Sequence, residues 1–211
     1  MGRDALRRAP SIYRATKNAT WGERAVGVVR FEVHRGLAAA EFEAEAGAVY
    51  AAVFAEAPYA KTPAEVTANA TRFRTQTRKT TFRLALARDE VGAVVGMAYG
   101  YNLSPATGWW DTLTEPVPVP EELRRETGDR TFGLIELAVL AAHRRAGVGR
   151  ALHAAVLRGG THERVLLNAR PDAGPAQALY RSLGYRRVGA AHPWRGAILH
   201  DVLLLDPAAP R

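Results

Sequence analysis

The sequence predicts an α/β domain of the α+β type, with a mixed, mostly antiparallel, twisted sheet and helices on both faces. Its 211 residues suit a single domain, because domains usually span about 100–200 residues. Apolar residues make up 47% and charged residues 24% of the chain, which is typical of globular proteins. Strands and helices alternate in the second half, which implies right-handed parallel crossovers. The first half and the last strands suggest antiparallel pairing instead.

The first half of the chain predicts a strand, two helices and a hairpin. Apolar side chains recur on one helical stripe until Pro58, which ends the first helix, and Pro63 can open the second. Alternating, β-branched segments predict the strands. In chain order the elements are a strand at 25–35, helices at 41–56 and 63–76, and hairpin strands at 81–89 and 91–103 joined by a turn at Asp89 and Glu90.

The second half begins with a proline-rich loop and continues with alternating strands and helices. Prolines and glycine exclude regular structure from the loop at 104–120. Gly-Gly ends one predicted helix, and another has a proline in its first turn and a glycine at its end. The elements are short helical turns at 121–128, strands at 131–141, 163–170, 186–191 and 197–206, and helices at 146–160 and 175–185.

The predicted organisation is one domain with two short tails. Residues 1–24 form a basic N-terminal tail or strap, 25–206 the domain, and 207–211 a short C-terminal tail. The N-terminus lacks the apolar segment of a signal peptide. No segment reaches the roughly 18 apolar residues of a membrane span. We therefore expect a cytoplasmic protein with no membrane partner.

Composition excludes several kinds of chemistry. The chain has no cysteine, so a disulfide scaffold, a thiolate nucleophile and a cysteine-based zinc site are all excluded. The six histidines show no metal-ligand spacing, and we expect no metal site. No Gly-x-Ser-x-Gly nucleophile motif occurs.

The charge balance favours anionic partners. The formal net charge is +8, and a basic balance attracts nucleic acid or phosphorylated cofactors. The arginines are spread along the chain, however, and no nucleic-acid-binding signature occurs. Nucleic-acid binding is thus the less favoured alternative.

The segment HRRAGVGRALH at 143–153 predicts an anion site at a helix start. Gly147 and Gly149 allow a tight turn and let backbone N–H groups approach a ligand at the positive end of the helix dipole. A dinucleotide fingerprint would need a small residue where Leu152 stands, and the Gly-Lys-Ser/Thr of a P-loop is absent. What remains is a pyrophosphate cradle with added positive charge from Arg144, Arg145 and Arg150.

The pattern Arg-x-x-Gly-x-Gly at 144–149 resembles the GNAT superfamily of acyl-CoA-dependent N-acetyltransferases. A second segment, 171–189, is similar to the other signature of that family, Ala-x-x-Leu-Tyr-x-x-x-Gly-Tyr/Phe. The matching residues are Ala176, Leu179, Tyr180, Gly184 and Tyr185. The resemblance covers residues 129–206. It departs at Ala173, where the family often has an asparagine.

The resemblance implies acetyl-CoA (coenzyme A) as cofactor. Backbone groups from Leu137 to Val139 would pair with the pantetheine arm, and segment 144–150 would hold the pyrophosphate. The implied cofactor-binding residues are Leu137, Ala138, Val139, Arg144, Arg145, Ala146, Gly147, Val148, Gly149, Arg150, Asn168, Ala176 and Tyr180.

Two side chains are candidates for proton transfer. Acyl transfer from a thioester to an amine needs a base for the ammonium proton and a proton for the leaving thiolate. The resemblance implies Tyr180 as the acid, whereas periodicity alone favours core packing for it. Glu136 is the only acid within an apolar strand, and burial would raise its pKa and suit it as the base; alternatively it faces solvent or pairs with an arginine. His143 and His200 are less favoured proton carriers.

Trp109 and Trp110 are candidates for contact with the acceptor, by stacking over it or gripping a cation. Alternatively, one of the rings is buried at the sheet edge.

The sequence does not identify the acceptor. We expect a small-molecule or peptide amine, and dimers, which are common in the family, remain open. A non-catalytic acyl-CoA sensor is the alternative that the departure at Ala173 leaves.

Overall fold

The computed structural model describes residues 29–114 and 119–206. Within them it contains the strands β1 (Arg30–Arg35), β2 (Arg83–Arg88), β3 (Val94–Asn102), β4 (Thr131–Val139), β5 (Arg164–Ala169), β6 (Arg186–Ala191) and β7 (His200–Leu205). The helices are α1 (Glu43–Phe54), α2 (Pro63–Gln76), α3 (Glu121–Arg124), α4 (Val148–Leu157) and α5 (Gly174–Ser182). The predicted tails 1–24 and 207–211, and residues 25–28 of the first predicted strand, lie outside the described residues.

The seven strands form one sheet in the order β1-β2-β3-β4-β5-β7-β6. Only β4 and β5 pair in parallel, whereas every other neighbouring pair is antiparallel. This architecture confirms the predicted fold class. The single parallel pair lies where the sequence alternates between strand and helix, as the crossover rule requires.

Helices cover both faces of the sheet, and side-chain alternation along β2 explains why. Leu84 and Leu86 point to the face that α1 and α2 cover. Ala85 and Ala87 point to the opposite face, where α4 packs through Val148, Leu152 and Val156. Successive side chains of a strand point to opposite faces, so a strand buried on both faces is apolar throughout.

Two local predictions are wrong. The hairpin between β2 and β3 does not turn at Asp89 and Glu90 alone. Its connection spans residues 89–93, because the Asp89 carboxylate accepts the N–H groups of Val91 (3.1 Å) and Ala93 (2.8 Å). The first helix begins later than predicted, because residues 36–42 form a 3-10 helix before α1.

Candidate active site

The sheet opens between β4 and β5. The two strands pair only from Thr131 to Gly133 and from Arg164 to Leu166. Beyond this point the following residues of both strands, 134–137 and 167–170, line a cavity of about 720 Å³. The end of the parallel pairing therefore creates the opening of the site.

A bulge in β4 brings consecutive residues of that strand to the cavity. The register with β3 moves from Tyr99 opposite Glu136 to Gly100 opposite Leu134, which leaves Ile135 as the extra residue. Gly100 allows this close approach, because a Cβ there would lie only 2.2 Å from the carbonyl oxygen of Gly133. A bulge breaks the alternation of a strand, which is why simple periodicity could not assign the face of Glu136.

Glu136 lies in the wall of this cavity. Burial raises its pKa to about 7, against the opposing charges of Arg72 and Lys61. Its Oε1 accepts a hydrogen bond from Asn69 Nδ2 at 3.4 Å. Among the described residues, no arginine forms an ion pair with it. Glu136 therefore lines the cavity and is not paired with an arginine of the described residues.

Asn69 is a site residue that the sequence analysis missed. It lies on α2 with 4% of its surface exposed, and its Nδ2 also donates to the Oη of Tyr99 at 3.2 Å. The available signal was its spacing, because Val66 and Phe73 stand three residues before and four after it on one helical face. An asparagine on an apolar stripe requires a hydrogen-bond partner once it is buried.

Tyr180 lies on α5 and lines the same cavity. Its ring contacts that of Tyr185 edge to face, with centroids 5.4 Å apart. Burial, with the nearby Tyr59 and Glu136, raises the pKa of its phenol well above the ordinary value. The hydroxyl therefore keeps its proton at neutral pH.

The start of α4 fits the predicted anion cradle. Gly147 precedes the helix with a φ of +82°, no side chain caps the helix, and nothing lies within 4 Å of where its Cβ would be. Gly149 serves packing instead, since a Cβ there would lie 3.3 Å from Leu179. Ala146 packs against the core beside Val148, which is itself buried.

The arginines around the cradle differ in their contacts. Arg144 donates to the carbonyl of Val139 (2.9 Å) and to the carboxylate of Glu56 (2.7 Å). Arg150 donates to the hydroxyl of Ser182 at 2.8 Å. Arg145 holds a positive φ of 64°. The side chains of Arg144 and Arg150 thus stabilise the surrounding fold, and the backbone N–H groups of α4 remain the principal candidates for the anion.

The other predicted cofactor residues divide between cavity and core. Leu137, Asn168 and Ala176 line the cavity, whereas Ala138 and Val139 turn their side chains into the core. The Oδ1 of Asn168 is buried and lacks a partner among the described residues. Ala173 is also buried and precedes α5 without a side-chain cap.

The two adjacent tryptophans have different environments. Trp109 lines the cavity. Trp110 does not, because its ring is buried and its Nε1 donates to Glu126 at 2.8 Å. The prediction of Trp110 as a substrate contact is therefore wrong, and of the two rings only that of Trp109 lines the cavity.

Further cavity residues were outside the sequence analysis. They come from α1, α2, the connection between these helices and the loop between β6 and β7, and they are Tyr50, Tyr59, Lys61, Arg72 and Trp194. His200 also lines the cavity, and burial lowers its pKa. Within the described ranges no cluster of three or more potential metal ligands occurs, and no helix has the length and apolarity to cross a membrane.

The fold is an α/β sheet that opens beside the uncapped start of a helix. The model of the acetyltransferase (GNAT) family matches residues 48–185. The chain belongs to this family of acetyltransferases, which confirms the resemblance and the N-acyltransferase class. No curated protein sequence matches the chain significantly.

Solved structures share the fold at low sequence identity. One titled histone acetyltransferase HPA2 and related acetyltransferase, from Corynebacterium glutamicum, is 22% identical with a TM-score of 0.56, and the match covers 85% of this chain and 98% of that one. A GNAT acetyltransferase from Staphylococcus aureus is 11% identical with a TM-score of 0.57, covering 84% and 98%. Ard1 from Thermoplasma volcanium is 16% identical with a TM-score of 0.53, covering 83% and 97%. At these identities the likeness establishes the fold.

Coenzyme A, which this family generally uses, fits the residues present. The uncapped start of α4 suits a diphosphate. The edge of β4 beyond Gly133 is no longer paired to β5, and Asn168 offers a buried, unpartnered oxygen beside it. An amide-containing chain such as pantetheine could use both.

Proposed function

We propose that the protein transfers an acetyl group from acetyl-CoA to the primary amine of a small molecule or peptide, with Glu136 as base and Tyr180 as acid. The observation that carries this proposal is that the two groups lie in one cavity and have complementary proton affinities. Burial shifts the pKa of Glu136 to about 7 and that of Tyr180 upward. One group can accept a proton near neutral pH while the other retains its own.

Glu136 would take the proton of the acceptor ammonium. A base with a pKa near the working pH is ionised in a useful fraction of molecules and is still basic enough to accept the proton. The N–H of Asn69 supports the ionised form, because it donates to Oε1.

Tyr180 would give its proton to the departing sulfur. The bound cofactor supplies an acetyl thioester, whose carbon–sulfur bond breaks as the amine forms a carbon–nitrogen bond. The phenol is protonated at neutral pH and so has a proton to give, which would neutralise the negative charge that develops on the departing sulfur.

The cofactor would lie along β4 and against α4. Backbone groups from Leu137 to Val139 and the amide of Asn168 would bind the pantetheine arm. The N–H groups that follow Gly147 would bind the diphosphate. Cytoplasmic location and a homodimeric state stay predictions from the sequence.

The experiment combines binding with turnover. Acetyl-CoA should raise the melting temperature at saturation, since a ligand of the native state stabilises it. An amine panel monitored by thiol release should then show turnover. Glu136→Gln and Tyr180→Phe should lower kcat by about 10²–10⁴-fold with little change in acetyl-CoA affinity.

Tyr185→Phe is the matched control, because Tyr185 lies beside Tyr180 and its hydroxyl bonds to His153 at 2.8 Å. That variant should keep its turnover. Absence of acetyl-CoA binding would refute the proposal. Binding with no turnover on any amine would favour the acyl-CoA sensor instead.

A further inference from the structure

The cavity wall beside Glu136 carries more cationic groups than free carboxylates. Its cations are Lys61, Arg72 and Arg170, and its carboxylates are Glu65 and Glu136. A wall with this balance attracts anionic groups and repels polycations. The charges therefore bear on the chemical class of the acceptor.

Glu65 is already engaged within its own helix. Its carboxylate accepts the backbone N–H of Thr62 at 2.9 Å, which completes a capping box at the start of α2. It also pairs with Lys61 at 3.4 Å. Glu136 is thus the one carboxylate of the described cavity lining that is available to an acceptor amine.

Arg72 is the cation that no carboxylate of the described residues neutralises, and it lies beside the hydroxyl of Tyr50. Arg170 is bound by Asp172, with Nε to Oδ1 at 2.8 Å, and Lys61 is shared with Glu65. Among the described residues, no carboxylate lies within ion-pair distance of Arg72, which is exposed on α2. Of the charged groups around Glu136, Arg72 lowers the pKa of its carboxyl the most.

Trp109 lines the same cavity. Its Nε1 is buried and has no hydrogen-bond partner among the described residues. A molecule in the cavity therefore meets the ring of Trp109 and not its N–H group.

Aromatic surface frames the cavity and its mouth. Trp194 projects from the loop between β6 and β7 with 53% of its surface exposed, and Lys61 Nζ lies 5.4 Å from its ring centroid. A turn fixes this loop, because Ala197 N–H donates to the carbonyl of Trp194 at 3.0 Å. Tyr59 and Tyr101 form further walls. These surfaces suit an apolar or aromatic group.

These cations are separate from the cofactor cradle. The cradle lies at 144–150, and none of its residues lines the cavity. Arg72 lies on α2 and Lys61 immediately precedes that helix. An anion bound there would therefore belong to the acceptor.

We propose that the acceptor is an amino acid or a similar amine with a carboxylate and an apolar or aromatic remainder, whose carboxylate binds Arg72. Its amine would then face Glu136. This inference rests on the proposed acetyl transfer. A polyamine would meet a single free carboxylate and repulsion from Arg72.

The test compares matched acceptors at equal free-amine concentration and saturating acetyl-CoA. Apolar and aromatic L-amino acids are assayed beside their carboxamides and their decarboxylated amines, with spermidine as the polycation. The best amino acid should exceed its carboxamide in kcat/KM by about tenfold or more. Arg72→Gln should remove that difference, because it lowers kcat/KM for the acid more than for the carboxamide. Loss of the Arg72 charge also raises the pKa of Glu136, and this second effect acts on both acceptors equally.

Arg74→Gln is the control, because Arg74 lies on the same helix but pairs with Glu43 at 3.1 Å and does not line the cavity. It should preserve the preference for the acid. Equal rates for acid and carboxamide, an equal loss for both in Arg72→Gln, or spermidine as the best acceptor would each overturn the inference.

The outcomes also separate this inference from the proposed function. If acetyl-CoA binds and amines without a carboxylate are acetylated equally well, only the acceptor class is wrong. If acetyl-CoA does not bind and no amine is acetylated, the acetyl transfer itself fails, and the acceptor class with it.

Discussion

Asn69 Nδ2 lies 3.4 Å from Glu136 Oε1 and 3.2 Å from Tyr99 Oη, so a single buried amide connects helix α2 to two strands of the sheet. The amide donates to the carboxylate at the point where β4 is bulged. The position of the candidate base therefore depends on a residue more than sixty positions away in the chain. Removing this contact should change the chemistry of Glu136 before it changes the fold.

Asn69→Ala should move the pH dependence of turnover upward. Activity that requires ionised Glu136 should rise through about pH 7 in the native protein. Loss of an N–H donor disfavours the ionised carboxylate and raises its pKa, so the midpoint should increase by about 0.5–1 unit. The measurement is kcat/KM against pH.

Thr67→Ala is the control for this profile, because Thr67 lies on the exposed side of α2 and its hydroxyl donates only to the carbonyl of Pro63. Its midpoint should match that of the native protein. An unchanged midpoint in Asn69→Ala would show that the amide does not act on Glu136.

Glu136→Gln should stabilise the protein at alkaline pH. The folded-state pKa of Glu136 is raised from 4.5 to about 7. Between these values the folded state holds more protons than the unfolded state, so stability falls as pH rises through this window. The variant should be close to native stability at pH 5 and more stable by about 1–3 kcal/mol at pH 8.

Denaturant unfolding at both pH values measures this difference. Glu41→Gln, at an exposed position, is the control. An equal free energy of unfolding for Glu136→Gln and the native protein at pH 8 would contradict the raised pKa.

The sequence predicted the order of the elements and singled out Glu136 and Tyr180, which line one cavity, but it did not predict the contacts around them. Periodicity and turn residues identify strands and helices, because each depends on neighbours within a few positions. The two motifs are also short local patterns, and for that reason they located the start of α4 and Tyr180. Other features depend on contacts between segments that are distant in the chain. They are the bulge at Ile135, the hydrogen bond from Asn69 to Glu136 and the separation of β4 from β5. The burial of Trp110 likewise depends on Glu126, sixteen residues further on.

Arg164→Met should strongly destabilise the fold. Arg164 and Glu126 are 3% and 1% exposed at their side chains and lie 3.0 Å apart. Glu126 also accepts the indole N–H of Trp110. Removing one partner of a buried pair leaves an uncompensated charge and costs about 3–5 kcal/mol.

Two variants make this prediction discriminating. Arg125→Met breaks an ion pair with Glu122 in which both side chains are 71% exposed, and such pairs contribute only about 0–1 kcal/mol. The double variant Arg164→Met/Glu126→Leu should recover part of the stability, since no buried charge is then left alone. The measurement is the free energy of unfolding in urea. An equal loss in Arg164→Met and Arg125→Met would show that the buried pair contributes no more than the exposed one.

Gly147→Ala should weaken acetyl-CoA binding by more than its effect on stability explains. Gly147 has a φ of +82° at the start of α4, with open space where a Cβ would project. Gly92 has a φ of +87° and equally open space, but it lies in the loop between β2 and β3. The left-handed conformation costs an alanine about 1–2 kcal/mol at either site, so Gly92→Ala reproduces the backbone strain without touching the proposed cradle.

Calorimetric titration of both folded variants measures the affinity for acetyl-CoA. Gly147→Ala alone should lose about tenfold or more, equal to about 1.4 kcal/mol, because only there would a methyl group stand before the N–H groups of α4. Equal affinities in the two variants would place the diphosphate elsewhere.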